Sequence, residues 1–389
     1  MTRSRSTLGL AALALLLGAC GGGGGSPAAA DPAAVGSAGD PGTASSAPGG
    51  GPSSRATLSV ASASQLASAL VTVNPGDTIE LAAGTYTGAF VITRSGTASL
   101  PITLKGPATA ILQNDKSTGK NYGLYLSGAS YWVIDGLTVS NSQKGIVTDH
   151  SNFNVLQNLS VHDVEDEGVH FRSGSSDNTL QHSAIYNTGL VQPGYGEAVY
   201  LGSANSNWGV YTASAITPDP SNRNKVLSNT LGPNVAAEGV DVKEGTSGGL
   251  IQGNAFDTRG ISGQNSGDSA IDMKGDDYVV DSNTVVNTPV GPTNCTATTG
   301  WDNKNCLKDG FQLHLNTVAG ITYGYNNTFS KNAFNLNTTA STAGYYPLPS
   351  GGGYGINIQS GATGTVVCTN NSATIASAGL SNWALTSCP

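Results

Sequence analysis

One short pattern recurs along the chain: a glycine or alanine, then apolar residues at alternate positions. It reads "GLYL" from Gly123, "GIVT" from Gly145, "GVHF" from Gly168, "AVYL" from Ala198, "GVDV" from Gly239, "AIDM" from Ala270, "GFQL" from Gly310 and "GINI" from Gly355. The first steps are 22 and 23 residues, and the later steps of 30, 41, 31, 40 and 45 imply insertions into the same unit. A second segment recurs between these copies, as in "NVLQNLSV" from Asn154 and "NKVLSNTL" from Asn224. It carries a polar residue at one place, assigned to Asn158, Ser183, Asn229, Asn254 and Asn283. A unit this small cannot bury its own apolar face, so successive units must stack into a continuous core. Stacked units of two or three short strands make a single-stranded parallel β-helix of the all-β class, with equivalent residues in columns ~4.8 Å apart. The polar residues then form an internal ladder bonded to turn backbone. With 53 glycines and 11% charged residues, the composition suits short strands joined by turns.

The first 54 residues lack this period. Arg3 and Arg5 precede an apolar run from Leu8 to Leu17 that is too short to span a membrane. The run ends in "LGAC", which resembles a bacterial lipobox. That resemblance implies cleavage before Cys20 and lipid on its thiol, hence a protein of the bacterial cell envelope, lipid-anchored or extracellular. Residues 1–20 are thus read as a signal peptide. Residues 21–54, rich in Gly, Ala, Ser and Pro, are read as a disordered tether, and 55–389 as the β-helix domain. Membrane contact is expected through the lipid alone, and the body is expected to be a monomer. Export permits disulfides. Of the three pairings open to the other cysteines, the local one, Cys295 with Cys306 and Cys368 with Cys388, is the simplest. A net charge of -8 argues against nucleic acid as a partner. An acidic ligand would need a local cluster of cations or a metal.

Alternation along a strand sends one set of side chains inward. Leu124, Leu126, Ile146, Val169, Phe171, Val199, Leu201, Val240, Val242, Ile271, Met273, Phe311 and Leu313 form the core set. One outward column runs Tyr125, Val147, His170, Tyr200, Asp241, Asp272, Gln312, Asn357. The next runs Ser127, Asp149, Arg172, Gly202, Lys243, Lys274, His314, Gln359. Glu167, Glu197 and Glu238 stand just before their strands. The sparse charges of the chain therefore gather on a few middle rungs. Asp241 with Lys243 and Asp272 with Lys274 would also suit cross-rung ion pairs on a wet surface, and Glu244 and Asp276 are read as solvated turn residues. The long insertions leave from the same rungs and carry Tyr195, Trp208, Tyr211 and Trp301, aromatic rings suited to stacking on sugars.

The entry segment "ASASQLASALVTVNPGDTIELAAGTYTGAFVIT" (61–93), continued by "ASLPITLKGP" (98–107), resembles the start of right-handed parallel β-helix polysaccharide lyases. The resemblance implies a short N-terminal helix capping the core, an acidic polysaccharide substrate, and cleavage of a uronic-acid chain by β-elimination. The chain resembles two lyase families, the calcium-dependent pectate lyases and the chondroitinase B and alginate lyase group. By match to their acid-plus-lysine strand, "EGVDVK" offers Lys243 as the base, with Lys274 the other candidate. Calcium would be held by Glu238 and Asp241, then by Glu197 and Asp272. Lys274 and Arg172 would hold substrate carboxylates, and His170, Tyr200, His314 and Trp208 would line the cleft. A lysine needs its pKa lowered to act as a base. Lys243 and Lys274, ~5 Å apart at an effective dielectric of ~20, would lower each other by ~2 units, but the neighbouring acids alone would hold both protonated unless bound calcium cancels them. A β-helix glycoside hydrolase using Asp241 and Asp272, a C5-epimerase and a non-catalytic glycan-binding adhesin stay open alternatives.

Overall fold

In a computed structural model, the described residues are 55–114, 121–287, 306–336, 353–376 and 378–388. The proposed signal peptide, Cys20 and the tether lie outside them, as do Cys295 and Trp301. No helix among the described residues is long and apolar enough to cross a membrane.

Among the described residues, ten rungs each contribute one strand to each of three long parallel sheets, and one sheet carries a further strand at each end, giving twelve, ten and ten strands. One rung is Lys144–Asp149, Val155–Gln157 and Ser160–Val164; the next is Val169–Arg172, Thr179–Gln181 and Ala184–Tyr186. The Gly-led strands all belong to one sheet. Their register is the one read from the repeat: Val147 opposite His170, then Tyr200, Asp241, Asp272, Gln312 and Asn357. Every residue of the core set is fully enclosed. The small residue at the head of the pattern has a packing cause. A Cβ on Gly123 would lie 2.3 Å from Val139, and one on Gly239 would lie 2.5 Å from Phe256. The apolar side chains of the sheet behind fill that space.

The N-terminal end of the solenoid is capped. Helix Ala63–Thr72 lays Leu66, Ala69 and Leu70 on the first rung. Ser62 Oγ accepts from Gln65 N, while Gln65 Oε1 accepts from Ala61 N, so each side chain satisfies an otherwise orphaned donor. At the far end Cys368 and Cys388 form the expected disulfide, and Leu385–Thr386 pairs as the last strand of the twelve-stranded sheet. Cys306 is also disulfide-bonded.

The polar ladder is present, with one correction. Asn229, Asn254, Asn283, Asn332 and Asn371 pass amide hydrogen bonds from rung to rung, and Ser183 extends the column. Asn158 does not belong to it. It takes a left-handed turn conformation at φ 55° and points outward to Asp135, while the backbone of Leu159 bonds to Ser183. A one-residue slip across a turn reverses which side chain faces in. A second ladder, Asn154 to Asn178 to Asn224, runs along another turn. Asn254→Ala would strand the backbone and side-chain donors of Asn229 that now reach its Oδ1. We expect a loss of about 2 kcal/mol, read from the guanidinium midpoint.

Candidate functional site

The outward columns meet on the middle rungs of the Gly-led sheet. Gly168 N donates to Glu197 O and Ala198 N to Glu238 O, which stacks Glu167, Glu197 and Glu238 one above another. One carboxylate oxygen from each of Glu197, Glu238 and Asp241 lies within 4.8 Å of the others, and all three residues are buried. Glu197 Oε2 and Asp241 Oδ1 have no hydrogen-bond partner. Burial, and then the neighbouring carboxylates, push Glu197 and Glu238 well above the ordinary carboxylate range. Native structures rarely leave buried polar atoms orphaned. Clustered oxygen donors in this condition form the kind of set that binds a hard divalent cation.

Lys243 and Lys274 stand beside the acids. Lys243 Nζ lies 2.5 Å from Asp241 Oδ2 and 5.1 Å from the centre of the Tyr200 ring. Burial lowers the lysine, but Asp241, Tyr200, Asp272 and Glu238 outweigh it and hold the ammonium well above its ordinary value. Lys274 pairs with Asp272 and reaches 3.9 Å from Asp241 Oδ1. The two ion pairs form, but within a strand rather than across rungs, and their carboxylates are buried rather than on a wet surface. His314 Nδ1 lies 2.9 Å from Asp272 Oδ1 and its side chain is 41% exposed. Against burial, Lys274 and His314 hold Asp272 below the ordinary range. Tyr200 is half-buried, and its hydroxyl makes no hydrogen bond among the described residues. Burial pushes its pKa well up, so the phenol keeps its proton.

Several predicted site residues stand elsewhere in the chemistry. Arg172 is only 1% exposed; it donates to Asp149, to Tyr122 Oη and to Tyr211 Oη, and is not open to a substrate carboxylate. Trp208 is fully buried, with Nε1 on Ser203 O and an edge contact to Tyr323, so it anchors an insertion rather than stacking on a sugar. His170 is buried too. Its Nε2 bonds Gly202 O at 2.8 Å and its ring meets Tyr200 edge-on at 4.4 Å, so it supports Tyr200 from below. Its Nδ1 is 3.5 Å from Glu167, too poorly aligned for a hydrogen bond. Glu244 and Asp276 are not solvated turn residues. Glu244 accepts from Asn205 N, and Asp276 from Gly324 N and Tyr325 N, so each clamps the base of an insertion.

Those clamps make the walls. On the side nearer the lysines, the 202–222 insertion and the hairpin Asn316–Val318/Ile321–Tyr323 meet where Trp208 touches Tyr323. On the side nearer the glutamates, Asn265 Nδ2 donates to Gly194 O and joins two more insertions, with Tyr195 exposed beside them. Asp149 and Tyr122 had no role in the site inferred from sequence, and Tyr211 was read there only as one of several insertion aromatics suited to stacking on sugars. Only the aromatic content of the 187–222 insertion hinted at Tyr211.

This floor of lysines, tyrosine and buried acids can be set against known proteins. The crystal structure of alginate lyase from Paenibacillus sp. str. FPU-7 is 37% identical, with a TM-score of 0.70 over 86% of this chain and 99% of that one. The chain belongs to the β-helix polysaccharide lyase family of that enzyme. The family described as "Pel9A-like, right handed beta helix region" matches residues 46–198, in keeping with the expected handedness. Pectate lyase Pel9A aligns at 18% identity over 78% of this chain and 72% of its own, with a TM-score of 0.46. The enzymatically active domain of bacteriophage CBA120 tailspike protein 2 shares the fold alone, at 10% identity and a TM-score of 0.50 over 81% of this chain and 40% of that one. No curated protein matches the chain.

Proposed function

We propose that this polysaccharide lyase family member cleaves a uronate-containing polysaccharide of the alginate type by β-elimination, with Lys243 as base and Tyr200 as proton donor. The observation that carries the reading is the juxtaposition of these two side chains on adjacent rungs, 5.1 Å from ammonium to ring centre, beside the buried acids. In the step itself the amine of Lys243 takes the proton from C5 of the uronate. The C5 electrons form the C4–C5 double bond, the C4–O4 bond breaks, and O4 takes the phenol proton of Tyr200. Tyr200 suits that role because burial keeps it protonated and its hydroxyl makes no hydrogen bond among the described residues. Lys274 and His314, one and two rungs beyond Lys243, are placed to meet a sugar carboxylate.

Lys243 must be neutral when it acts, and Asp241 opposes that. Calcium would fit Glu197, Glu238 and Asp241, which bring hard oxygen donors together in a buried cluster where Glu197 Oε2 and Asp241 Oδ1 have no hydrogen-bond partner. When bound there, it would supply positive charge that offsets the carboxylates holding the lysine protonated.

The test incubates the protein with alginate, polygalacturonate and glycosaminoglycans, with calcium or with EDTA, and follows the ultraviolet absorbance of the unsaturated uronate. Absorbance that needs Lys243 supports the proposal. New reducing ends without absorbance would indicate hydrolysis. Solvent deuterium entering C5 of intact chains would indicate epimerisation, and binding with neither would indicate an adhesin.

A further inference from the structure

The knot around Arg172 lies outside the chemistry above, yet on the same line of rungs. Arg172 shares a column with Lys243, with only the rung of Gly202 between them, or ~10 Å along the axis. Its guanidinium lies 4.3 Å from the centre of the Tyr211 ring and donates to that phenol at 3.2 Å. Asp149 fixes the guanidinium from behind, with Nε 2.7 Å from Oδ1, and Tyr125 Oη donates to Asp149 Oδ2 at 2.6 Å. Against burial, Asp149 holds Arg172 firmly protonated.

The insertion that presents Tyr211 is tied down at both ends. Trp208, one turn earlier, is buried. Asp219 accepts from Ser173 N and Gly174 N, directly after Arg172, and from Ser203 and Ser221. Tyr211 itself stays half-exposed while Arg172 is enclosed, so the exposed part of the ring faces away from the guanidinium. A flat ring on a rigid support, with a buried cation beneath it, is suited to stack on a sugar whose neighbours carry carboxylates.

We propose that Tyr211 is a distal sugar-binding platform, placed by Arg172 and Asp149, that binds a uronate unit two to three sugars from the scissile bond. This rests on the reading of the cleft as a polysaccharide site. A 1→4-linked hexuronate is about as long as a rung is tall, so the polymer reaches Tyr211 when it lies along the solenoid, whereas a trimer at Lys243 reaches it in at most one of its two cleavable registers. The platform therefore favours long chains. Arg172, in this assignment, is a positioning residue for Tyr211.

The experiment compares kcat/KM on polymeric alginate with kcat/KM on trimer, in wild type, Tyr211→Ala, Tyr211→Leu and Tyr211→Phe. Thermal midpoints identify any variant that misfolds. The ratio of polymer to trimer is expected to fall about fivefold in Tyr211→Ala and Tyr211→Leu, and to stay within about twofold of wild type in Tyr211→Phe, which keeps the ring. An unchanged ratio in a folded Tyr211→Leu protein overturns the proposal. Calorimetry with uncleaved alginate oligomers separates it from the lyase reading. If turnover is absent but binding weakens in Tyr211→Leu, the platform stands and the lyase reading falls; if binding is equal in both proteins, the platform falls.

Discussion

Lys243→Ala is expected to lower kcat on alginate by about 10³-fold while changing KM less than about threefold, as befits loss of a general base. Lys243→Arg is the sharper variant. It keeps the positive charge beside Asp241 and Tyr200, but guanidinium does not give up its proton at any working pH. A base requirement therefore predicts a loss as large as that in Lys243→Ala, with the thermal midpoint nearer wild type. If Lys243→Arg retains more than about a tenth of the activity, Lys243 is an electrostatic partner and not the base. Steady-state rates from the ultraviolet product, with midpoints measured alongside, decide the question. Tyr200→Phe, which removes only the phenol oxygen, should lose about 10²-fold.

Calcium should raise the thermal midpoint, and more so at pH 8 than at pH 5. The direction follows from linkage. Glu197 and Glu238 are pushed well above their ordinary pKa in the folded chain, so without a cation the native state keeps protons that the unfolded chain releases. The contribution of these groups to stability is present at pH below the ordinary carboxylate value. It is lost as pH rises from there toward the raised folded values. A cation must displace those protons, so it binds more tightly as pH rises. At a thousandfold excess over Kd the gain is about 4 kcal/mol, or about 6 °C for a chain of this size. Glu197→Gln, which cannot ionise, should abolish most of the calcium response and lift the midpoint measured in EDTA at pH 8. Scanning calorimetry at the two pH values, with calcium or EDTA, provides the check. Equal midpoints with and without calcium at pH 8 would rule out a cation at the triad.

Much of the candidate site was legible because it sits on strands. Once "GVHF", "AVYL", "GVDV" and "AIDM" are aligned, alternation alone places His170, Tyr200, Asp241 and Asp272 in one outward column, and their pairing has that register. The small residue at the head of each copy followed from the same repetition, with Val139 or Phe256 as the physical reason. What alternation misjudged was enclosure. Arg172, Trp208 and Glu244 have the composition of an exposed, ligand-ready surface, yet each is buried. Asn158 was misassigned because the turn before Leu159 changes which way a side chain faces.

The sequence by itself determined the stacked parallel solenoid, its inward core, the columns of the outer face and the rungs where charge gathers. These follow from a local period of alternation repeated until neighbours must pair. Only the tertiary structure decided which members of that face reach solvent and which are spoken for. Insertions have no period, so nothing local states that 202–222 folds back to bury Trp208, to set Tyr211 on Arg172, and to close one side of the cleft over Lys243. Those contacts join residues far apart in the chain, and they come into being only when the rungs beneath them are already stacked.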